Sequence, residues 1–309
     1  MHSRRSIVLV ALVGLSVLAS MTRPWVHGSG LLASKYSDAF SYPYFGLDAP
    51  CRAVDDSFHR EFDTEGIHSI QVEAGVGEIT VTSAHGNRIS IDGELVAHGP
   101  SDQIARERLR HVSLDAVQDG GTVRVVGSAM RPEPSSPDAP SPTEGLTNMV
   151  LRVPSGLAVT VQATAGTVRL HDLRGTIEAH VRMGSIEATS VTGNLTITTS
   201  AGRIAVTNAT IERQLKLSTS MGDITFDGSL GKQNYVASSA GKVRMTVPRS
   251  TCVRLEAVTD AGKVNTDLPV TERKSEAMTS SAFGILGQGE PTGDLEIRVS
   301  IGDISIVGR

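Results

Sequence analysis

The sequence predicts an all-β fold, a single-stranded β-solenoid with about 18–21 residues per coil. Three observations predict it: glycine recurs at a nearly fixed interval, apolar and polar residues alternate after each of these glycines, and aromatic residues are scarce. The 309-residue chain contains 31 Gly but is only 4% aromatic. Its core must therefore be filled by Val, Ile, Leu and Ala in a chain that turns often. Internal repetition at this period is typical of stacked repeat proteins.

The repeated unit is a glycine, then any residue, then Val or Ile. We expect the glycines of these units at one corner of successive coils: Gly77, Gly166, Gly184, Gly202, Gly222, Gly241, Gly262 and Gly302. From Gly166 onward they lie 18–21 residues apart, except for a final interval of 40, in which Gly284 lies near the missing position. Glycine adopts positive φ at no steric cost, as a tight corner requires.

Two short strands follow in each unit. Apolar residues two apart, such as Ile204 and Val206, predict strands with one buried and one exposed face. A meander of antiparallel hairpins and a solenoid of parallel, stacked coils both fit this pattern. We favour the solenoid because the opposite corner has glycine only at Gly175 and Gly193, an asymmetry that a meander does not explain. Roughly eight coils at ~4.8 Å each would form a rod about 40 Å long.

The chain divides into four predicted parts. These are a signal peptide or signal anchor (1–28), a tether (29–62), an N-terminal β region (63–150) and the regular solenoid (151–309).

The N-terminal β region contains the one predicted helix, over residues 101–112, with Ser101 as its N-cap. We expect this helix to cap the solenoid, since an open sheet edge promotes aggregation. Asp119–Val126 predicts a turn and a strand. The Pro- and Ser-rich residues 131–142 predict a protruding loop, and residues 274–293 a second loop that interrupts the last coils.

The first residues predict export. Arg4 and Arg5 precede the uncharged run Ile7–Met21, which as a helix covers roughly 22 Å of a hydrocarbon core ~30 Å thick. That length suits a signal peptide, whereas an extension towards Trp25 would make a membrane anchor with its basic end inside. Cleavage and anchoring both stay open. Either one places the remainder of the chain outside the cytoplasm.

Charge and cysteine content exclude other classes. A formal net charge of −4 does not fit a nucleic-acid binder with a basic footprint. Cys51 and Cys252 are too few for a disulfide scaffold or a cysteine-based zinc site. A Cys51–Cys252 disulfide is one interpretation. A buried Cys252 with an exposed Cys51 is the other, and the one we prefer.

Three segments carry a family resemblance: NMVLRVPSGLAVTVQATAGTVRL, QIARERLRHVSLDAVQDGGTVRV and GDLEIRVSIGDISIVG. Over residues 64–309 the chain resembles the bacterial putative-adhesin family of unknown function (DUF4097-type β-strand repeat proteins). The resemblance implies an extracytoplasmic, often membrane-tethered protein, called an adhesin mostly by analogy. It implies no catalytic residue. The loop 131–142 and the lack of a lipobox depart from the family pattern.

The residues themselves indicate no catalytic, cofactor or metal site. The carboxylates expected on the outer faces are isolated from one another and lie among residues of both charge signs. Asp223 and Asp303 follow corner glycines as turn residues. Strand faces rich in hydroxyl groups suit contact with carbohydrate or protein: Thr196, Thr198, Thr199, Ser200, Thr207, Ser218, Thr219 and Ser220.

We therefore predict an exported, membrane-tethered or secreted, non-catalytic β-solenoid of the cell envelope. Its role would be adhesion, surface binding or scaffolding, with a protein or carbohydrate ligand and a membrane contact through the N-terminal segment if that is uncleaved. Two alternatives remain. One is a polysaccharide-active β-helix lyase or hydrolase. The other is a self-assembling or envelope-stress regulatory protein that associates end to end through a bare C-terminal strand.

Overall fold

The computed structural model describes residues 52–129, 145–275 and 279–309. The predicted signal or anchor, most of the tether, Cys51 and the loop 131–142 lie outside the described residues. Within the described ranges the fold is all-β, as predicted, with twenty strands and one helix.

The elements are taken in chain order. They are β1 (Arg52–Asp63), β2 (Ser69–Ala84), β3 (Arg88–Gly99), α1 (Asp102–Leu109), β4 (Val112–Asp119), β5 (Thr122–Ala129), β6 (Gly145–Pro154), β7 (Ala158–His171), β8 (Arg174–Met183), β9 (Ile186–Thr189), β10 (Thr192–Ala201), β11 (Ile204–Met221), β12 (Ile224–Ser229), β13 (Gln233–Ala240), β14 (Val243–Val247), β15 (Val253–Ala261), β16 (Val264–Thr266), β17 (Val270–Ser275), β18 (Ser280–Leu286), β19 (Asp294–Ile301) and β20 (Ile304–Gly308).

Parallel pairing arranges most strands in two stacks. The first stack runs through the first half of β2, the first half of β7, β8, β10, the second half of β11, β13, β19 and β15. The second stack runs through the second halves of β2 and β7, then β9, the first half of β11, β12, β14, β20 and β16. Adjacent repeats therefore place equivalent residues side by side.

The coils do not stack in the order of the sequence. β19 lies between β13 and β15, and β20 lies between β14 and β16. The coil of Gly302 is thus inserted between the coils of Gly241 and Gly262. The expectation of a bare C-terminal strand is wrong, because β20 has a parallel neighbour on each side.

An antiparallel hairpin lies beyond the last coil. β18 pairs with both β15 and β17, so it covers the free edge of β15 in the first stack. The predicted loop 274–293 therefore contains a strand. Gly284 lies in this hairpin and not at a coil corner, so its regular spacing was misleading.

Antiparallel strands also extend the opposite end. β5 and β6 pair in parallel with β2, and then β4 joins β5 while β3 and β1 follow β6. Since β1 begins at Arg52, the last residues of the predicted tether form a strand. The coil of Gly77 stacks directly on that of Gly166, which comes 89 positions later in the chain.

The helix α1 begins where it was predicted. The Ser101 hydroxyl accepts a hydrogen bond from the Ile104 amide at 3.4 Å. The helix ends earlier than predicted because Val112, a buried residue, already starts β4. α1 packs against β3, and a Cβ at Gly99 would lie 2.7 Å from the Ala105 nitrogen.

The core is one aliphatic cluster that extends through both stacks. Ile204 and Val206 are fully buried, as their alternation predicted, and Phe226 is the one fully buried aromatic residue of the described chain. Cys252 is buried and unpaired. Its burial agrees with the preferred interpretation.

Candidate binding surface

The eight predicted corner glycines form one continuous column. Their order along it is Gly77, Gly166, Gly184, Gly202, Gly222, Gly241, Gly302 and Gly262. All have φ between +134° and +159°. β2 and β7 pass from the first stack to the second at their glycine, so this column is the edge at which the two stacks meet.

Close stacking leaves no room for a side chain in this column. A Cβ at Gly202 would lie 1.8 Å from the Gly184 carbonyl oxygen, and one at Gly302 would lie 2.0 Å from that of Gly241. Real Cβ atoms do not approach oxygen so closely. The column therefore fixes the geometry of both stacks along the whole edge.

Buried hydroxyl groups lie beneath the column. Three residues before a glycine, four side chains donate hydrogen bonds to the carbonyl oxygen of a glycine in the adjacent coil, at 2.8–3.4 Å: Thr199, Thr219, Ser238 and Thr259. We expected Thr199 and Thr219 on an exposed binding face, and that is wrong, since both are buried. The recurrence of Thr or Ser at this position is the signal that sequence analysis missed.

The two aspartates that follow corner glycines serve the backbone. Asp223 accepts a hydrogen bond from the Lys242 amide at 2.8 Å, and Asp303 accepts one from the Lys263 amide at 3.0 Å. Each carboxylate thus links its coil to the next one.

The outer face of the first stack is the candidate binding surface, here called the polar face. In its central coils two outward columns of side chains run side by side: Thr160, Glu178, Thr196 and Lys216 in one, and Gln162, His180, Thr198 and Ser218 in the other. Neighbours in a column are about 4.8 Å apart. The polar face therefore presents hydrogen-bond donors and acceptors at a regular interval.

A shallow depression lies on the polar face towards its N-terminal end. Its polar lining comes from Glu73, Gln162, Thr164, His180, Arg182, Thr198 and Ser200. Glu73 is already engaged, because Arg124 donates to its carboxylate at 2.7 Å and Gln71 at 3.1 Å. Apart from Arg182, the other polar lining side chains are amide, hydroxyl and imidazole groups, which suit hydrogen bonding to a polar ligand.

The inserted last coil creates a charged cluster at the far end of the polar face. Glu296 lies beside Glu256, and Arg298 forms ion pairs with both, the Glu256 pair at 3.4 Å. The hydrogen bond to Glu296 raises the pKa of the Arg298 guanidinium above its ordinary value. We expected isolated carboxylates here. The pair was missed because its two members come from coils that are adjacent only through the insertion.

A second ionic cluster joins three antiparallel strands. Asp92 on β3 bonds to His59 on β1 at 2.7 Å and to Arg152 on β6. Partial burial raises the pKa of the Asp92 carboxyl, but the hydrogen bonds from His59 and Arg152 outweigh it and hold that pKa below its ordinary value. This cluster ties the strands at the N-terminal end together.

Within the described ranges, no group of three or more His, Cys, Asp or Glu side chains is placed to hold a metal ion. The one described helix is too short to cross a membrane.

No family model and no curated protein matches this chain. Among solved structures, a putative cell adhesion protein from Clostridium sporogenes is 11% identical at a TM-score of 0.35, with 83% of this chain and 100% of that chain covered. A putative adhesin from Bacteroides fragilis is 9% identical at a TM-score of 0.34, with 81% and 97% covered. One from Parabacteroides merdae is 11% identical at a TM-score of 0.36, with 81% and 95% covered. At these TM-scores the matches carry no inference about fold or function, and membership of the adhesin family stays a prediction.

Proposed function

We propose that this chain is an extracytoplasmic, non-catalytic β-solenoid whose polar face binds a neutral polymer, a polysaccharide or a protein strand, at the cell envelope. The two parallel stacks are then the two walls of the solenoid, and the glycine column is one of its corners. Export rests on the N-terminal sequence. Binding rests on the polar face.

The observation that carries this proposal is the regular outward array of short polar side chains. Gln162, Thr198 and Ser218 offer amide and hydroxyl groups in equivalent positions of stacked coils, with the core packed behind them. Such a rigid face loses little conformational freedom on binding. Its period matches a ligand that itself repeats, since each further unit finds the same partners.

The test places a charge on this face. In the exported chain, the double variant Gln162→Lys, Thr198→Lys puts two bulky cations into the depression, while Thr80→Lys, Thr225→Lys puts the same two on the outer face of the second stack. Binding to peptidoglycan sacculi, to neutral insoluble polysaccharides and to a protein-coated surface is measured by co-sedimentation.

We expect the wild type to bind at least one of these surfaces. The polar-face variant should lose about tenfold or more in affinity, equivalent to ~1.4 kcal/mol, whereas the second-stack variant should bind like the wild type. Equal losses in both variants, or no retention of the wild type on any of the surfaces, would overturn the proposal. Turnover of the bound polysaccharide would instead favour the lyase or hydrolase.

A further inference from the structure

An exposed row of alternating large and small apolar side chains runs along the glycine corner. The residue before each corner glycine lies beside its counterparts in the neighbouring coils. From the coil of Gly184 onward this row, here called the corner ridge, consists in spatial order of Met183, Ala201, Met221, Ala240, Ile301 and Ala261. Met221 and Ile301 are 61% and 63% exposed, the highest values among the large apolar side chains of the described chain.

The alternation exists only in the folded molecule. Along the sequence, Ala240 is followed by Ala261 and then by Ile301. Insertion of the last coil places Ile301 between the two alanines, so that large and small residues alternate without interruption. Successive large residues are therefore about 9.6 Å apart, which is twice the strand spacing.

Charge alternates along the same edge, in phase with size. From the coil of Gly184 onward, the residues that follow the glycines are, in spatial order, Ser185, Arg203, Asp223, Lys242, Asp303 and Lys263. Both acids follow a large ridge residue, and all three bases follow an alanine. Because Asp223 and Asp303 are held by backbone amides, their carboxylates keep fixed places in the row.

The other flank of the ridge is short and mostly uncharged. The residues two before the glycines are, from the coil of Gly184 onward, Arg182, Ser200, Ser220, Ser239, Ser300 and Asp260. The four serines let another surface approach the ridge closely. The two charged residues stand at opposite ends of this flank.

From these rows we infer that the corner ridge is the docking surface for a second copy of this chain, in an antiparallel dimer. Its two-fold axis lies in the contact plane, perpendicular to the ridge, and passes between the coils of Gly222 and Gly241. In such an isologous interface each contact occurs twice.

This axis sets each large ridge residue over an alanine of the second copy, and each acid opposite a base. Met221 lies over Ala240 of the second copy, Ile301 over Ala201, and Met183 over Ala261. Asp223 then faces Lys242, Asp303 faces Arg203, and Arg182 faces Asp260. A parallel two-fold arrangement sets Met or Ile against its like and turns the charged row towards the serine flank. An axis shifted by half a coil spacing sets Met or Ile against its like and also Asp against Asp. Like charges in contact oppose association, so the rows select one arrangement.

Binding to a different partner would not require size and charge to alternate in phase along the ridge. Exposed apolar patches mark interaction sites in general. A row whose size and charge alternate in phase, with opposite charges at the two ends of its flank, is complementary to its own inverted copy. The contact is narrow and about 24 Å long, five strand spacings. It therefore suits a weak dimer with a micromolar dissociation constant, as small interfaces give.

The test is sedimentation equilibrium of the full chain in the form that cells export, with all variants measured side by side. Met221→Ser, Ile301→Ser removes two large ridge residues. Val150→Ser, Val307→Ser removes two exposed apolar residues away from the ridge and is the matched control. We expect the wild type to dimerise reversibly, the ridge variant to dimerise about tenfold more weakly or worse, and the control to match the wild type.

Ala240→Met separates specific docking from general hydrophobic adhesion. It adds exposed apolar area, so general adhesion predicts stronger association. It also fills the site that receives Met221, so the dimer described here must weaken. Thermal melting shows that each variant is folded. A wild-type mass that stays monomeric up to about 0.5 mM, or tighter association of Ala240→Met, would overturn the inference.

Discussion

At the glycine corner, two separate constraints act on the same residue. Gly202 has φ of +150°, which disfavours any side chain, and a Cβ there would lie 1.8 Å from the Gly184 oxygen. Gly156 has a positive φ of +96° as well, but no atom lies within 4 Å of its would-be Cβ. The two glycines therefore allow strain in the backbone to be measured apart from contact between coils.

We predict that Gly202→Ala lowers the free energy of unfolding by about 2–5 kcal/mol, because backbone strain and overpacking add. Gly156→Ala carries the strain alone and should cost about 1–2 kcal/mol. Urea unfolding of the two variants beside the wild type measures the difference. Equal losses would mean that the coils separate at little cost, which would contradict close stacking as the origin of the glycine repeat.

Residues whose environment is set by their own strand were predictable. Ile204 alternates with its neighbours and is buried, and the repeated glycine unit led to all eight members of the column. Thr199 and Thr219 were not, because an inward hydroxyl is tolerated only if a carbonyl of the next coil accepts its hydrogen bond. That acceptor belongs to a different repeat, so the sequence of one repeat does not predict it.

At the scale of elements, the β17–β18 hairpin protects an edge. β15 pairs with β19 on one side, and β18 pairs with its other side from Val253 to Thr259. An uncovered strand of this length would offer its amides and carbonyls to another chain. The hairpin was missed because Gly284 continues the corner spacing while its neighbours pair antiparallel.

We predict that removing the hairpin causes aggregation without unfolding the coils. The Pro269 oxygen accepts a hydrogen bond from the Gly287 amide at 2.8 Å, so an Asn-Gly turn can replace residues 270–286 with little strain. Light scattering should show association that rises with concentration, while far-ultraviolet circular dichroism keeps its β signal.

The matched control adds Val258→Lys to the shortened chain. Val258 points outward on β15, and a lysine on an exposed edge opposes pairing with another strand. This variant should return to the mass of the full-length protein. A shortened chain that stays unassociated without the lysine would show that the hairpin has no protective role.

At the scale of the whole molecule, the coils depart from sequence order, and the inserted coil separates two like charges at the glycine corner. Stacking in order would set Lys242 beside Lys263. The inserted coil instead places Asp303 between them, and its carboxylate bonds the Lys263 amide at 3.0 Å. Sequence analysis could not find this order, because every coil carries the same corner signature and any two of them could stack. Only side chains outside the repeat decide between the possibilities.

We predict that the inserted coil is indispensable to the C-terminal part of the fold. Deleting residues 291–309 removes β19 and β20, which carry the fully buried Ile297, Ile304 and Ile306. Each such side chain contributes about 1.5–3 kcal/mol, so the loss is comparable with the net stability of a typical domain. Amide hydrogen exchange should accelerate towards unstructured rates in β13–β16, whereas β7–β10 keep their protection because their neighbours remain.

Arg309→Ala is the control, since it removes only the partly exposed ion pair with Asp227 and should cost about 0–1 kcal/mol. Full protection of β15 in the shortened chain would show that the Gly262 coil can stack directly on the Gly241 coil, and the inserted coil would then be dispensable.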